Sequence, residues 1–284
     1  MRLKELLRDV VAEAIAFLPL RLKMWLYQDA TRLVLGVMFR LETRSIVVTR
    51  AGPTPYRHRM RLAWQAHMGY VLGVYEPHVA HVLVRHLKQG DCCMDVGANL
   101  GYFTSVMSHR VGPEGEVIAF EQLPQNVQVL QENIALEGLT NVRVEPKAVG
   151  DSNETSALLI QGDKEFTGTP SLTAFYSWSG ERSSIPVEVV TLDDYLAGMR
   201  KTPALLKIDV EGAELLVLRG ATTLLSSVRP TLLIEVHGWG SPQSEEVIGL
   251  IKQHHYEVEI IGLRNREAFC LASPALLAND GWRR

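Results

Sequence analysis

The chain has 284 residues and a net charge of −3 at pH 7, with 46% hydrophobic and 21% charged residues. That composition is typical of a soluble globular protein, and the length is sufficient for a full hydrophobic core. The charge is uneven, because residues 1–61 carry twelve Lys or Arg against five Asp or Glu, which leaves the remainder at −10. An acidic body argues against a nucleic-acid-binding surface, and no nucleic-acid partner is expected.

The N-terminal part is predicted to be helical. Apolar residues recur at helical spacing from Leu3 to Leu18, and a second helical stretch follows from about Leu20 to Phe39. We therefore predict a helical N-terminal extension over residues 1–70 and a main domain over residues 71–284. The extension is expected to pack on the main domain, to form a homo-oligomer contact, or to touch a membrane surface through its flanking basic residues.

Location and redox setting follow from composition. The longest early apolar run, Leu33–Phe39, is far shorter than the ~20 residues of a membrane-spanning helix. The opening residues lack the profile of a signal peptide, and the three cysteines show no metal-binding spacing. A cytoplasmic protein is expected, with peripheral contact to a membrane as the alternative. The basic cluster Arg57–Arg61 is interpreted as a solvated face.

From Tyr75 onward, strand and helix signals alternate. The predicted strands contain the segments CCMDVGA, EVIAFEQ, NVRVEPKAVG, TSALLIQ, LLKIDVEG, TLLIEVHG, YEVEIIG and EAFCLAS, with helices between most of them. This alternation predicts an α/β fold with a doubly wound, mostly parallel sheet covered by helices on both faces. Ligands in such sheets bind beyond the carboxyl ends of the strands. Residues 162–184 show no clear period and are predicted to form a long loop or lid.

The first predicted strand ends in a glycine loop that opens a helix. The loop reads D-x-G-x-N-x-G and comprises Asp95, Gly97, Asn99 and Gly101. Glycines allow a sharp turn and close approach of a ligand to the main chain. The acid ahead of the first glycine would repel a pyrophosphate, and the spacing differs from G-x-G-x-x-G. A cationic ligand such as S-adenosylmethionine suits this loop better.

Glu121 ends the second predicted strand, ~20 residues beyond the glycine loop, where a carboxylate can hold a ribose diol. This interpretation implies a free 2′-hydroxyl on the cofactor.

Two later strands end in polar side chains. Lys207, Asp209 and Glu211 alternate with apolar residues and are predicted to point to one face, where they could orient or deprotonate a hydroxyl. Asp209 and Glu211 could alternatively cap the following helix, which is also the expected role of Glu214.

Glu235 and His237 share a face at the end of the next strand. His237 is a candidate base, a candidate ligand of a divalent metal together with Asp209 and Glu235, or only a polar strand end. The sequence does not decide among these roles, and a metal requirement stays open.

Together these motifs resemble the FkbM family of S-adenosylmethionine-dependent methyltransferases. The resemblance extends from Tyr75 to Gly238 and rests on DVGANLGYFT, VIAFEQLPQNVQVLQENIALEG, KAVGDSNE, PSLTAF, VTLDDYL, LLKIDVEGAELLVLRGA and RPTLLIEVH. It implies a class I (Rossmann-like) methyltransferase fold and O-methylation of a small-molecule or glycan acceptor, such as a sugar or a secondary metabolite. One departure is FEQLP at Gln122, where members commonly read FEP; the Glu121 carboxylate is kept.

The resemblance also implies roles for individual residues. Asp95, Gly97, Asn99 and Gly101 would line the methionine end of the cofactor, and Glu121 would hold the ribose. The remaining implied positions are Ala148 and Val149 beside the adenine, Glu76 near the amino-acid end, and Asp209, Glu211 and His237 facing the acceptor, with Lys207 tuning the carboxylates.

Three other functions are compatible with parts of this pattern. One is an RNA methyltransferase of the same fold, which would need the basic front end to form a groove. Another is a non-catalytic cofactor-binding module of a biosynthetic complex. A nicotinamide-dependent oxidoreductase is disfavoured by the glycine spacing.

Overall fold

A computed structural model describes residues 45–50, 56–62, 69–70, 73–161 and 182–275, together with Pro19 and Leu22. The strands, in chain order, are β1 (Ser45–Arg50), β2 (Arg57–Leu62), β3 (Cys92–Val96), β4 (Glu116–Phe120), β5 (Val142–Glu145), β6 (Ala148–Val149), β7 (Glu154–Gln161), β8 (Arg182–Val190), β9 (Pro203–Ile208), β10 (Thr231–His237), β11 (Tyr256–Arg264) and β12 (Glu267–Pro274). The helices are α1 (Pro77–His86), α2 (Tyr102–Val111), α3 (Pro124–Glu137), α4 (Leu192–Ala197), α5 (Glu214–Arg219) and α6 (Pro242–Gln253), with a π-helical turn at Leu224–Val228.

The main sheet has seven strands in the order β11-β12-β10-β9-β3-β4-β5. The five strands from β10 to β5 are parallel, whereas β12 runs antiparallel to β10 and β11 antiparallel to β12. Successive strand residues alternate between two apolar cores: Cys93 and Leu205 face one core, and Met94 and Leu206 face the other. The predicted doubly wound, mostly parallel α/β sheet is therefore confirmed.

A second, three-stranded sheet with the order β6-β8-β7 was not predicted. Its strand β8 begins at Arg182, inside the segment predicted as a long loop or lid. Residues 162–181 of that segment lie outside the described residues. The strand was missed because Pro186 interrupts its apolar alternation, and proline usually argues against a strand interior.

The N-terminal helices predicted over residues 3–39 also lie outside the described residues, apart from Pro19 and Leu22. Within residues 1–70 the structure shows an antiparallel hairpin of β1 and β2, which was not predicted. The interpretation of Arg57–Arg61 as a solvated face is wrong for His58 and Met60, whose side chains are fully buried. Among the described helices, none is long and apolar enough to cross a bilayer. All three cysteines are free thiols and buried.

A buried polar cluster attaches the hairpin to the main domain. His58 Nδ1 lies 2.6 Å from Ser105 Oγ, which donates to a Glu137 carboxylate oxygen at 2.8 Å. His109 Nε2 lies 2.8 Å from the same carboxylate. Burial would raise the pKa of Glu137, but hydrogen bonds from His109 and His58 lower it, so this carboxylate is ionised at neutral pH. The cluster therefore joins β2, α2 and the end of α3.

Candidate active site

The glycine loop after β3 is shaped by positive backbone angles. Gly97, Asn99 and Gly101 have φ values of +83°, +50° and +89°. A Cβ atom at position 97 would lie 1.8 Å from the carbonyl oxygen of Asp209, the residue that follows β9. The loop therefore packs directly against the end of β9, and only glycine fits at its first turn.

Asp95 is fully buried below this loop and is paired within the protein. Its carboxylate accepts a hydrogen bond from Thr104 Oγ1 at 2.6 Å and lies 3.2 Å from Lys207 Nζ. The pair forms because Asp95 and Lys207 are directly opposite in the register of β3 and β9. Burial would lower the pKa of Lys207, but Asp95 and Asp209 raise it above its usual value, so the lysine is cationic.

This pairing changes the interpretation of Asp95. The sequence indicated a carboxylate offered to a cationic ligand, whereas the structure shows its charge matched by Lys207. Asp209, which was predicted to share a face with Lys207, lies 3.6 Å from Lys207 Nζ and is a second partner of the lysine.

Glu121 connects the end of β4 to the glycine loop. One carboxylate oxygen accepts the backbone N–H of Asn99 at 2.8 Å, and the other accepts the backbone N–H of Leu123 at 2.9 Å. The side chain is buried, and burial raises its pKa to about 7 against the lowering effect of these hydrogen bonds. The glycine loop and the Glu121 carboxylate, both predicted to bind the cofactor, are therefore in direct contact.

Ala148 and Val149 form the short strand β6 and are both buried. Ala148 lies in the same apolar cluster as Leu123, which is two positions after Glu121 in the chain. The structure thus places Ala148 on the Glu121 side of the site.

The predicted shared face of Lys207, Asp209 and Glu211 holds for Lys207 and Asp209, which line one cavity, but their alternation along one strand does not extend to Glu211. Strand β9 ends at Ile208, and Glu211 has a φ of +54° in the turn that follows. This turn still carries Glu211 toward β10, where its carboxylate lies 3.3 Å from His237 Nε2. Glu211 and Asp209 are therefore parts of one acidic group with His237, although not by the predicted route.

His237 is buried at the end of β10 and surrounded by carboxylates. Its Nδ1 lies 2.7 Å from Glu214 Oε1, and Glu235 lies 3.8 Å from its Nε2. Burial would lower the pKa of His237, but the hydrogen bond and charge of Glu214, together with Asp209 and Glu211, raise it to about 10. The ring is therefore a cation at neutral pH. Glu214 also accepts the backbone N–H of Gly212 at 2.8 Å, in the turn before α5, so its carboxylate contacts both this turn and His237.

Arg264 was not identified from the sequence. It ends β11, and its guanidinium contacts Glu76 at 2.8 Å, Glu235 at 3.1 Å and Glu267 at 2.8 Å. A single arginine in a predicted edge strand gives no local signal, because its partners Glu76 and Glu235 are distant in the chain.

A small cavity lies at the carboxyl ends of β9 and β10, lined both by Asp209 and by two of the glutamates that contact Arg264. Its lining residues are Glu76, Val79, Lys207, Ile208, Asp209, Leu233, Ile234, Glu235 and Phe269. Four of these side chains are charged, and three of the four are acidic. The predicted residues Glu76, Lys207, Asp209 and Glu235 are thus brought together around one space.

The donor groups around His237 can be compared with a metal site. His237 belongs to two groups of three residues that could each bind a metal ion, one with Asp209 and Glu211 and the other with Glu235 and Glu267. Within each group, the potential ligand atoms all lie within 4.8 Å of one another. The metal ligands expected from the sequence were Asp209, Glu235 and His237, but Asp209 and Glu235 belong to different groups. Asp209, Glu211 and His237 Nε2 could hold a divalent ion if the His237 ring gave up its Nε2 proton, because the hydrogen bond from Nδ1 to Glu214 is the usual support of a metal-bound histidine.

These features define a class I methyltransferase domain: a seven-stranded sheet with one reversed strand, a glycine loop after β3 and a carboxylate after β4. Residues 95–258 match the family model described as the methyltransferase FkbM domain. This match covers more than half of the chain, and the protein belongs to the FkbM methyltransferase family, whose cofactor is S-adenosylmethionine.

Two curated relatives and one solved structure show the degree of similarity to individual proteins. The hexuronic acid methyltransferase AglP of Haloferax volcanii is 28% identical over 197 residues, which cover 69% of this chain and 76% of AglP. A protein-L-isoaspartate O-methyltransferase of Fervidobacterium nodosum is 28% identical over 130 residues, which cover 45% of this chain and 61% of that enzyme. The crystal structure of methyltransferase FkbM from Methylobacillus flagellatus aligns with a TM-score of 0.47 at 16% identity, over 74% of this chain and 53% of that one.

Proposed function

We propose that this protein is an O-methyltransferase that acts on a hydroxyl group of a sugar or glycan. The observation that carries the proposal is the contact between Glu121 and the glycine loop at Asn99, beside a surplus of carboxylates at the ends of β9 and β10. This arrangement suits a ligand with a ribose, a sulfonium and an ammonium. The sugar acceptor is supported by the similarity to AglP, a hexuronic acid methyltransferase.

Each part of the site has a proposed role toward the cofactor. Glu121 accepts hydrogen bonds from the ribose, and the glycine loop lies along the methionine part. Asp95 acts indirectly, because its charge holds Lys207 in place. Glu76 receives the amino-acid end, and Ala148 and Val149 border the adenine.

Replacing Glu121 tests the cofactor site. We expect Glu121→Ala to weaken S-adenosylhomocysteine binding ~10–100-fold, because hydrogen bonds to a charged group contribute about 1.5–3 kcal/mol. Isothermal titration of both proteins measures this effect. Glu121→Gln keeps one side-chain oxygen that can still accept a backbone N–H of the loop. This variant therefore distinguishes loss of the ribose contact from disturbance of the loop.

The matched control is Glu116→Ala, at the opposite end of the same strand, where the side chain is a third exposed. It should bind S-adenosylhomocysteine like the wild type. Unchanged binding by both Glu121 variants, or binding of NAD instead, would contradict the proposed site.

Asp209 is the proposed acceptor of the hydroxyl proton. His237 is protonated at neutral pH and tied to Glu214, so it cannot accept a proton before losing one. Asp209 lines the cavity and is one-fifth exposed. Bound S-adenosylmethionine supplies the electrophilic methyl group, and alignment of the acceptor by the site lowers the demand on the base.

Asp209→Asn should reduce methyl transfer by ~10²–10⁴-fold and leave S-adenosylhomocysteine affinity nearly unchanged. The assay is transfer of labelled methyl groups to a panel of hexose and hexuronic acid glycosides. Asp151→Asn, at an exposed position, is the control and should retain full activity. Full activity in Asp209→Asn with loss in His237→Gln would assign the base to His237. Cofactor binding without transfer to any glycoside would contradict the sugar proposal.

A further inference from the structure

Arg264 holds together carboxylates from three different elements. Its Nη1 contacts Glu76 before α1, its Nη2 contacts Glu235 on β10, and its Nε contacts Glu267 on β12. All three nitrogen positions of the guanidinium therefore carry a carboxylate. Arg264 and Glu76 both lie outside residues 95–258, the part of the chain that matches the family model.

The sheet topology explains why Arg264 reaches this place. Strand β12 runs antiparallel to β10, so the turn between β11 and β12 returns to the edge where the parallel strands end. Arg264 pairs with Glu267 across that turn, and the guanidinium lies 5.3 Å from the centre of the Phe269 ring, which lines the cavity.

Glu76 needs such a partner because of its position. It is buried and has a φ of +38°, a left-handed backbone conformation that is unfavourable for a residue with a side chain. Its side chain does not cap α1, although it directly precedes the helix. The charged groups that interact with it are Lys207, Asp209, Glu235 and Arg264.

Arg264 faces two glutamates that are almost completely buried, Glu76 and Glu235. Burial and repulsion from neighbouring carboxylates raise the pKa of Glu76 to about 7 and that of Glu235 to about 10, and the Arg264 guanidinium opposes both shifts. The forked guanidinium also ties the two side chains to one point. A bound ammonium would add a second cation and favour the ionised form of both carboxylates.

We propose that Arg264 is a positioning residue that holds Glu76 and Glu235 in place for the amino-acid end of the cofactor. The inference rests on the proposed cofactor site and adds the residue that fixes its methionine side. Arg264 does not touch the reacting atoms in this proposal; it acts through the two carboxylates.

The test compares two ligands that share the adenine and ribose. S-adenosylhomocysteine has the amino-acid end, whereas 5′-methylthioadenosine lacks it. We expect Arg264→Met to weaken S-adenosylhomocysteine binding ~10–100-fold, the usual range when a buried carboxylate loses a charged hydrogen-bond donor. Binding of 5′-methylthioadenosine should change less than ~3-fold, since the ribose and adenine contacts are unaffected.

Two further variants control this experiment. Arg264→Lys keeps the charge but not the forked geometry and should restore part of the affinity for S-adenosylhomocysteine. Arg266→Met removes an exposed cation from the same turn and should bind both ligands like the wild type. A general change in electrostatics would affect Arg266→Met as well.

The outcomes separate this inference from the proposed function. Equal loss of both ligands in Arg264→Met would indicate a merely structural role and overturn the inference. Unchanged S-adenosylhomocysteine binding in Arg264→Met would also overturn it, with the cofactor site intact. Failure of the wild type to bind S-adenosylhomocysteine would instead contradict the proposed function itself.

Discussion

Lys207→Met is expected to lower the free energy of unfolding by about 3–5 kcal/mol, the usual cost of leaving one member of a buried ion pair without its partner. Lys207 and Asp95 are 5% and 1% exposed at their side chains. In the variant, the buried Asp95 carboxylate would keep the hydrogen bond from Thr104 but lose the cation that faces it. Urea denaturation at pH 7 measures the change.

A double variant makes this prediction sharper. Lys207→Met combined with Asp95→Asn removes both charges, and we expect it to regain ~1–4 kcal/mol of the loss. The control is Lys147→Met, which breaks the exposed pair with Glu188 and should cost less than ~1 kcal/mol. If Lys207→Met cost no more than Lys147→Met, the buried pair would not be an important stabilising contact.

Gly97→Ala is expected to disrupt both the fold near the site and cofactor binding. The added Cβ would lie 1.8 Å from the Asp209 carbonyl oxygen, a backbone atom that cannot rotate away. The left-handed backbone adds ~1–2 kcal/mol for any residue with a side chain. We expect a total loss of more than ~3 kcal/mol in unfolding free energy. Binding of S-adenosylhomocysteine should fall below detection.

Gly90→Ala separates the two causes. Gly90 has a similar φ of +85°, but no atom lies within 4 Å of a Cβ at that position. This variant should show only the conformational cost of ~1–2 kcal/mol and should bind S-adenosylhomocysteine normally. Equal losses in Gly90→Ala and Gly97→Ala would show that close packing of the loop against β9 is unimportant.

Local patterns were sufficient to predict the main sheet. Apolar runs alternating with amphipathic stretches predicted the strands and helices of the main sheet, because burial on both faces leaves a continuous apolar signal. The helix Pro242–Gln253 carries clear local start signals, since the Ser241 side chain caps it and Pro242 is its first residue. The strands β1, β2 and β8 were missed, because their short or interrupted alternation resembles that of a loop.

The sequence by itself determined the glycine loop, the carboxylate at Glu121 and the polar ends of the two strands β9 and β10, since each depends on residue types within a few positions. Only the tertiary structure decided which charges are partners. Lys207 pairs with Asp95, 112 positions earlier, and Arg264 pairs with Glu76, 188 positions earlier. Such pairs depend on strand order and register, and neither follows from local composition, because ion pairs leave no periodic signal in the chain.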